Sequence, residues 1–257
     1  MKPLRIVSYN ILDGGVGRAD PLGEVLQAQD ADVIALIEAD DPDVVTRIAN
    51  RLGMDHVTAP GRAHSVALLS RLTITESINH AMLTDGGPRC LLEATVVTPR
   101  GLPLAVYAVH FSAGAYDADE TLREAELSAL LDITAARSAG GAHVLAGDFN
   151  SNAPGQLFDV ERAKPSTVQA FGANGDKLPR RVIARLLSAG YVDTLSATAG
   201  EAAYRQATFS THRPQQRVDY IFTRGAPVSA LQSAWIETDR LAEYASDHFP
   251  VGVEINV

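Results

Sequence analysis

Cysteine is all but missing from this sequence: Cys90 stands alone in 257 residues. A single thiol excludes an internal disulfide and fits a reducing compartment. Its place in an apolar run reads as a buried group rather than a nucleophile. Long apolar runs are missing too, so no segment approaches a membrane span. Met1-Lys2-Pro3-Leu4-Arg5 leads straight into a strand pattern without the apolar stretch of a secretory signal, and a cytoplasmic location is the expectation. Positive charge is scarce: 22 Lys and Arg against 31 Asp and Glu leave a net charge of −9. That balance speaks against a broad nucleic-acid footprint, which draws much of its strength from cations at phosphates. Repeats, low-complexity tracts and linkers are also lacking, so one domain over residues 1–257, acting as a monomer, is expected.

The charge that is present is unevenly placed. Residues 151–225 hold ten Lys or Arg and six acids, a local +4, leaving −13 for the rest. Arg162, Lys164, Lys177, Arg180, Arg181, Arg185, Arg205, Arg213 and Arg217 fall there. They are either solvated faces or the phosphate side of a cleft.

Apolar strand patterns cover residues 4–12, 32–37, 65–70, 73–78, 90–98, 103–110, 143–146, 217–223, 228–236 and 249–255. Asp20-Pro21 and Asp41-Pro42 each read as a cap followed by a proline at the first helical position, the second helix closing at Gly53. Amphipathic helices are expected over residues 119–137, stopping at Gly140-Gly141, and from Pro179 through Leu187. Helical segments separate pairs of strands in both halves, which favours two packed sheets flanked by helices over one doubly wound sheet.

Polar residues of particular types punctuate the strand ends. Asn10 follows the first strand, and Glu38 ends Asp32-Val33-Ile34-Ala35-Leu36-Ile37. His110 closes the run 104–109. Asp148 and Asn150 flank Phe149, so on extended backbone both point to one side. Asp219 is embedded in an otherwise apolar strand, where a buried acid needs a partner, and His248 is the natural one. An Asp–His pair fixes the imidazole tautomer and raises its basicity. Asp247, beside it, points the other way and is free to hold metal or orient a nucleophile. Singly, Asn10 reads as a turn former, Glu38 as a solvated strand end and His110 as a satisfied core group. Together they form the donor set that metal-assisted attack of water on phosphorus requires: hard oxygens for a divalent ion, a base, and donors for phosphoryl oxygens.

Seven segments resemble, in order, the motifs of the endonuclease/exonuclease/phosphatase superfamily: Ser-Tyr-Asn-Ile-Leu at 8–12, Asp-Val-Ile-Ala-Leu-Ile-Glu at 32–38, Leu-Leu-Ser-Arg at 68–71, Val-His-Phe at 109–111, Gly-Asp-Phe-Asn at 147–150, Arg-Val-Asp-Tyr-Ile-Phe at 217–222 and Ser-Asp-His-Phe-Pro at 246–250. The resemblance implies an α/β fold, a four-layer αββα sandwich of two packed, mainly antiparallel sheets. It further implies that Asn10 and Glu38 sit at the principal Mg²⁺ site, with Mn²⁺ able to substitute, and that Asp247 is a further acid near metal and water. Asp148 would orient or deprotonate the water and Asn150 would hold a phosphoryl oxygen. His248, backed by Asp219, would be the acid/base or transition-state donor. Which of Asp148 and His248 takes the proton stays open. Arg71 and His110 would contact substrate, and His64 stands where Ser65-Val66 replaces the usual Gly-Asn. Histidine at 110 and Leu12 in place of an acid both depart from the abasic-site endonucleases.

The leading expectation is therefore a Mg²⁺-dependent phosphoesterase acting on a small phosphorylated metabolite, a lipid headgroup or a short nucleotide. A nuclease acting on DNA or RNA is the alternative within the fold. A noncatalytic binding protein is the alternative from another class, disfavoured by the complete set of site residues.

Overall fold

A computed structural model describes residues 2–82, 87–138 and 141–257. Among them, two six-stranded sheets form the centre. The first contains β1 (Leu4–Asn10), β2 (Val33–Ile37), β3 (Asp55–Pro60), β4 (Ser65–Ser70), β11 (Leu231–Ile236) and β12 (Val251–Ile255), in the order β11-β12-β1-β2-β4-β3. The second runs β5-β6-β7-β8-β10-β9, from β5 (Ile74–Asn79), β6 (Cys90–Val97), β7 (Pro103–His110), β8 (His143–Asp148), β9 (Val192–Asp193) and β10 (Asp219–Arg224). Only β1–β2 and β7–β8 pair in parallel; the other described pairs are antiparallel.

The layering follows from strand alternation. Ile6, Val33, Ala35, Val66 and Leu68 of the first sheet face Leu92, Val106, Ala108, Val144 and Ala146 of the second, forming the central core. The opposite face of the first sheet, with Val7, Tyr9, Ile34 and Leu36, is covered by α1 (Ala19–Gln29), α2 (Pro42–Leu52) and α7 (Arg240–Ala245). That of the second, with Tyr107, Leu145 and Phe222, is covered by α3 (Asp117–Ser138) and α5 (Arg181–Ser188). This is the αββα sandwich that the resemblance implied. No helix among the described residues is long and apolar enough to cross a membrane.

Local signals were met unevenly. Asp41 caps α2 by accepting from the amides of Asp43 and Val44, and Gly53 ends it at φ 63°. α1 instead begins at Ala19, before the expected cap. Asp20 lies inside its first turn and binds Arg47, and Pro21 still falls where an amide needs no helical partner. The expected stop of α3 at Gly140 lies outside the described residues. The strand pattern missed β3, an edge strand with mostly exposed side chains, and the helix signals missed α4 (Pro165–Ala173) and α6 (Thr194–Ala199).

Candidate active site

Strand register builds the polar cluster. In the second sheet His110 stands opposite Asp148, and Asp148 opposite Asp219, so three neighbouring strands β7, β8 and β10 place these side chains in one row on one face. Gly147, just before Asp148, is required by the close approach of β7, because a Cβ there would lie 1.9 Å from the Val109 carbonyl oxygen. Across the seam, β1 ends at Asn10 and β2 ends one residue before Glu38. Glu38 takes a left-handed backbone, φ 58°, uncommon for a residue with a side chain and found where a site demands it.

Asn10 joins the two sheets. Its Nδ2 donates to Glu38 Oε1 at 3.1 Å and to Asp148 Oδ2 at 3.2 Å, while its Oδ1 accepts from the Leu12 amide at 3.0 Å. An amide oxygen in the place of Nδ2 would face two carboxylates, so the nitrogen belongs there. In this geometry Asn10 braces the two acids and turns its oxygen toward Leu12. The amide of Asp13 donates to Glu38 Oε2 at 2.9 Å.

His248 Nδ1 and Asp219 Oδ2 are 2.8 Å apart, both residues buried. His248 Nε2 is 3.9 Å from Asp148 Oδ2 and 3.9 Å from Asp247 Oδ1. Burial alone would push this imidazole down; the charge and hydrogen bond of Asp219, then Asp148 and Asp247, outweigh it and lift it above its usual value. Asp148 moves up as well, because burial and the neighbouring Asp219 both disfavour its anion. His110, 2% exposed, is held well below its usual value by burial first and by His64 and Arg89 after it. Its Nε2 lies 3.8 Å from Asp148 Oδ2 and 4.0 Å from Glu38 Oε1, beyond hydrogen-bond reach of either.

Asn150 has φ 50°, its amide caps Asp148 Oδ1 at 2.9 Å, and its Nδ2 donates to the Phe111 carbonyl at 3.1 Å. Glu38, His110, Asp148, Asn150, Asp247 and His248 all line one cavity of about 380 Å³. Asp247 Oδ1 and Asp219 Oδ1 are buried and accept no hydrogen bond among the described residues. A carboxylate oxygen left so is costly unless a cation or donor meets it, and the hard oxygens of Glu38, Asp148 and Asp247 suit a divalent ion.

Two sequence expectations change. Arg71 is not at the site. β2 pairs antiparallel with β4, Ile37 facing Val66 and Val33 facing Ser70, so Arg71 emerges at the opposite end, where it binds Asp30 at 2.6 Å. A five-residue strand separates the two ends by roughly 17 Å. The basic stretch also disperses. Arg217 is buried in a bidentate pair with Asp193, at 3.0 and 2.7 Å. Arg180 is spent on the carbonyls of Ala153, Pro154 and Gln156. Arg181 binds Glu124 and Asp117, and Arg185 binds Ser128 and the Glu124 carbonyl, all on α3. Of the nine cations, Lys164 alone among the described residues borders the site cavity, its Nζ 4.4 Å from the Phe209 ring. Phe209 in turn lies 4.8 Å from the His248 ring. Lys164, Tyr116 and Phe209 come from loops and carry no strand-end signal, so sequence reasoning did not single them out as site residues. A larger groove of about 920 Å³, lined by Arg162, Arg205, Pro214 and Phe249, holds none of the strand-end acids.

A four-layer sandwich with a carboxylate, amide and imidazole cluster at the seam of its sheets defines a class of phosphoester hydrolases. A sequence profile of the Endonuclease/Exonuclease/phosphatase family matches residues 7–248, and the chain belongs to that family, whose members are metal-dependent hydrolases acting on phosphoester bonds. A search of curated proteins finds no match. Among solved structures, a 3′-5′ exonuclease from Neisseria meningitidis is 23% identical, with a TM-score of 0.74 over 99% of this chain and 100% of its own. An AP endonuclease from Archaeoglobus fulgidus is 19% identical, with a TM-score of 0.75 and the same coverage. TDP2 from D. rerio, complexed with a single-strand DNA product, is 21% identical, with a TM-score of 0.68 over 99% of each chain. At these identities the likeness is one of fold.

Proposed function

We propose that the chain is a Mg²⁺-dependent phosphoesterase, with Mn²⁺ able to substitute, that acts as a cytoplasmic monomer on a small phosphorylated metabolite, a lipid headgroup or a short nucleotide. The observation that carries this reading is the focus on Asp148 Oδ2, which Asn10, His110 and His248 all face within 3.9 Å. Glu38 and Asp247 would hold the cation, with Asn10 bracing Glu38 against Asp148. Bound there, the ion would supply positive charge to the phosphoryl oxygens.

The remaining chemistry falls to side chains. Asp148 orients the attacking water and accepts its proton in line with the leaving group. His248, held through Nδ1 by Asp219, presents Nε2 as a donor to the charge that builds on phosphorus or the leaving oxygen. Asn150 and His110 add neutral donors. Lys164 extends the cavity's grip to a further anionic part of the substrate. A net charge of −9 repels long polyanions at a distance, while a local cation still holds one or a few phosphates.

A second reading, nuclease action, is favoured by one observation: the groove with Arg162 and Arg205 adjoins Phe249, next to His248. The relatives named above as exonuclease, AP endonuclease and DNA-product complex fit it too. A panel of phosphomonoesters, phosphodiesters, oligonucleotides and supercoiled plasmid decides between them, assayed with Mg²⁺ or Mn²⁺ at about 0.15 M salt, where exposed charges are screened beyond roughly 8 Å. Efficient turnover of a small ester with slow plasmid nicking is expected. Rapid plasmid cleavage with every small ester untouched would promote the nuclease.

A further inference from the structure

A second group of ligating side chains lies on the Glu38 side of the cavity. A carboxylate oxygen of Asp13, one of Glu38 and a ring nitrogen of His64 lie within 4.8 Å of one another. The cluster is not a chance meeting of surface acids, because a histidine is locked into it. His64 Nδ1 sits 2.7 Å from Asp40 Oδ2, and Asp40 Oδ1 accepts from the Ser65 amide. The His64 carbonyl is held by the Gly61 amide and the Cys90 thiol, each at 2.9 Å. With Nδ1–H committed to a carboxylate, Nε2 is left as the unprotonated nitrogen with its lone pair free. A carboxylate behind a histidine in this way is the usual support of a metal-bound imidazole.

An independent feature points to the same place. The His110 ring lies 5.5 Å from the His64 ring, and its buried Nε2 looks toward Glu38 Oε1 across 4.0 Å without a hydrogen bond. A polar nitrogen this deeply buried and unpaired marks a gap that a ligand completes.

Resting on the metal-dependent reading above, we propose that His64 and Asp13 join Glu38 as ligands of the divalent cation, making a mixed nitrogen and oxygen site with Asp40 as the support of its imidazole. Oxygen-only sites suit Mg²⁺, whereas an imidazole ligand raises affinity for transition ions. The consequence is a preference for Mn²⁺ over Mg²⁺ that depends on one side chain. His64 stands where the motif usually has no such residue before Ala-Leu-Leu-Ser-Arg, so the preference is a property of this sequence and not of the fold.

The test is metal binding, not turnover. Calorimetric titration of the full chain with Mn²⁺ and separately with Mg²⁺ is compared among wild type, His64→Ala, His64→Gln and Asp40→Asn, with pulsed EPR of the Mn²⁺-loaded protein reporting ¹⁴N coupling. His64 is about a quarter exposed, so its variants keep the fold, which thermal melting verifies. Expected are tighter Mn²⁺ than Mg²⁺ binding in wild type and at least a tenfold loss of Mn²⁺ affinity in His64→Ala with Mg²⁺ affinity little changed. Asp40→Asn should show a roughly ten- to hundredfold loss. The ¹⁴N signal assigned to His64 should vanish in His64→Gln. Equal Mn²⁺ affinity in wild type and His64→Ala, or an unchanged ¹⁴N signal in both His64 variants, overturns the ligand assignment while leaving the phosphoesterase reading intact. Absence of binding by either ion to wild type overturns both.

Discussion

Asp148 and Asp219 stand directly opposite each other in the antiparallel register of β8 and β10, both about 1% exposed. Two carboxylates so placed repel, and the protein answers with one imidazole in contact with Asp219 and one amide in contact with Asp148. The two acids are therefore unequal: Asp219 is neutralised by its histidine, while Asp148 keeps an oxygen directed at the cavity. That inequality assigns Asp148 to water and Asp219 to the support of His248.

Replacing Asp148 or His248 with alanine should lower kcat by roughly two orders of magnitude or more, since each removes a proton-transfer or donor group. Thermal melting of both variants should stay close to wild type or rise, because a buried titratable group is lost. A variant with wild-type kcat would remove that residue from the mechanism.

Asp219→Asn should act through His248. The Asp219 charge helps raise the imidazole above its ordinary value, and the raised group stays protonated until the pH climbs through that higher value. Without the charge, His248 loses its proton at lower pH, so the alkaline limb of the rate profile should move down and kcat should fall at least tenfold. An alkaline limb that does not move, with full activity at every pH, would dismiss the pair.

Exchanging Arg180, Arg181 and Arg185 together for glutamine should leave KM unchanged, because all three side chains are tied to α3 or to the 153–156 loop. The melting temperature should drop instead. Lys164→Ala should do the reverse, raising KM severalfold with little change in melting. A raised KM in the triple variant would return those arginines to the substrate path.

Far from the site, Glu93 couples pH to stability. Burial pushes its carboxyl up, but His80 at 2.7 Å and Arg137 at 3.1 Å outweigh burial and hold it below its usual value. The folded state thus binds this proton less readily than the unfolded chain. The stabilisation is present above the unfolded value near 4.5 and is lost as the pH falls through the lower folded value. Glu93→Gln should flatten the acid side of a melting-temperature profile, and an identical acid side in both proteins would rule the coupling out.

Asn10, Glu38, Asp148, Asp219 and His248 are legible in the sequence because each interrupts or ends an apolar strand, and register then gathers such positions at one end. Arg71 fits the same description and lies at the wrong end, since one strand pattern does not say which way β4 runs beside β2. The fate of the arginines is equally hidden there. Arg180 and Arg185 differ from Lys164 only in what the fold brings alongside, and Arg217 looks in sequence like any surface cation until Asp193 is placed against it. β3 escapes notice because an edge strand with exposed side chains has no apolar alternation. Asp13 and His64 become visible as a pair only when the ends of β1, β2 and β4 converge.

The Ser246 hydroxyl donates to the Asn10 carbonyl at 2.7 Å, joining positions 236 residues apart, and β12 lies beside β1. Contact order this high means that the two edges of the cluster meet only after nearly all the intervening chain has been made and threaded. A nascent chain stopped before β12 carries Asn10, Glu38 and Asp148 without the strand that fixes His248 beside them. Hydrolysis is therefore silent until β12 is laid against β1, and the regain of activity on refolding times the arrival of that late strand at the first.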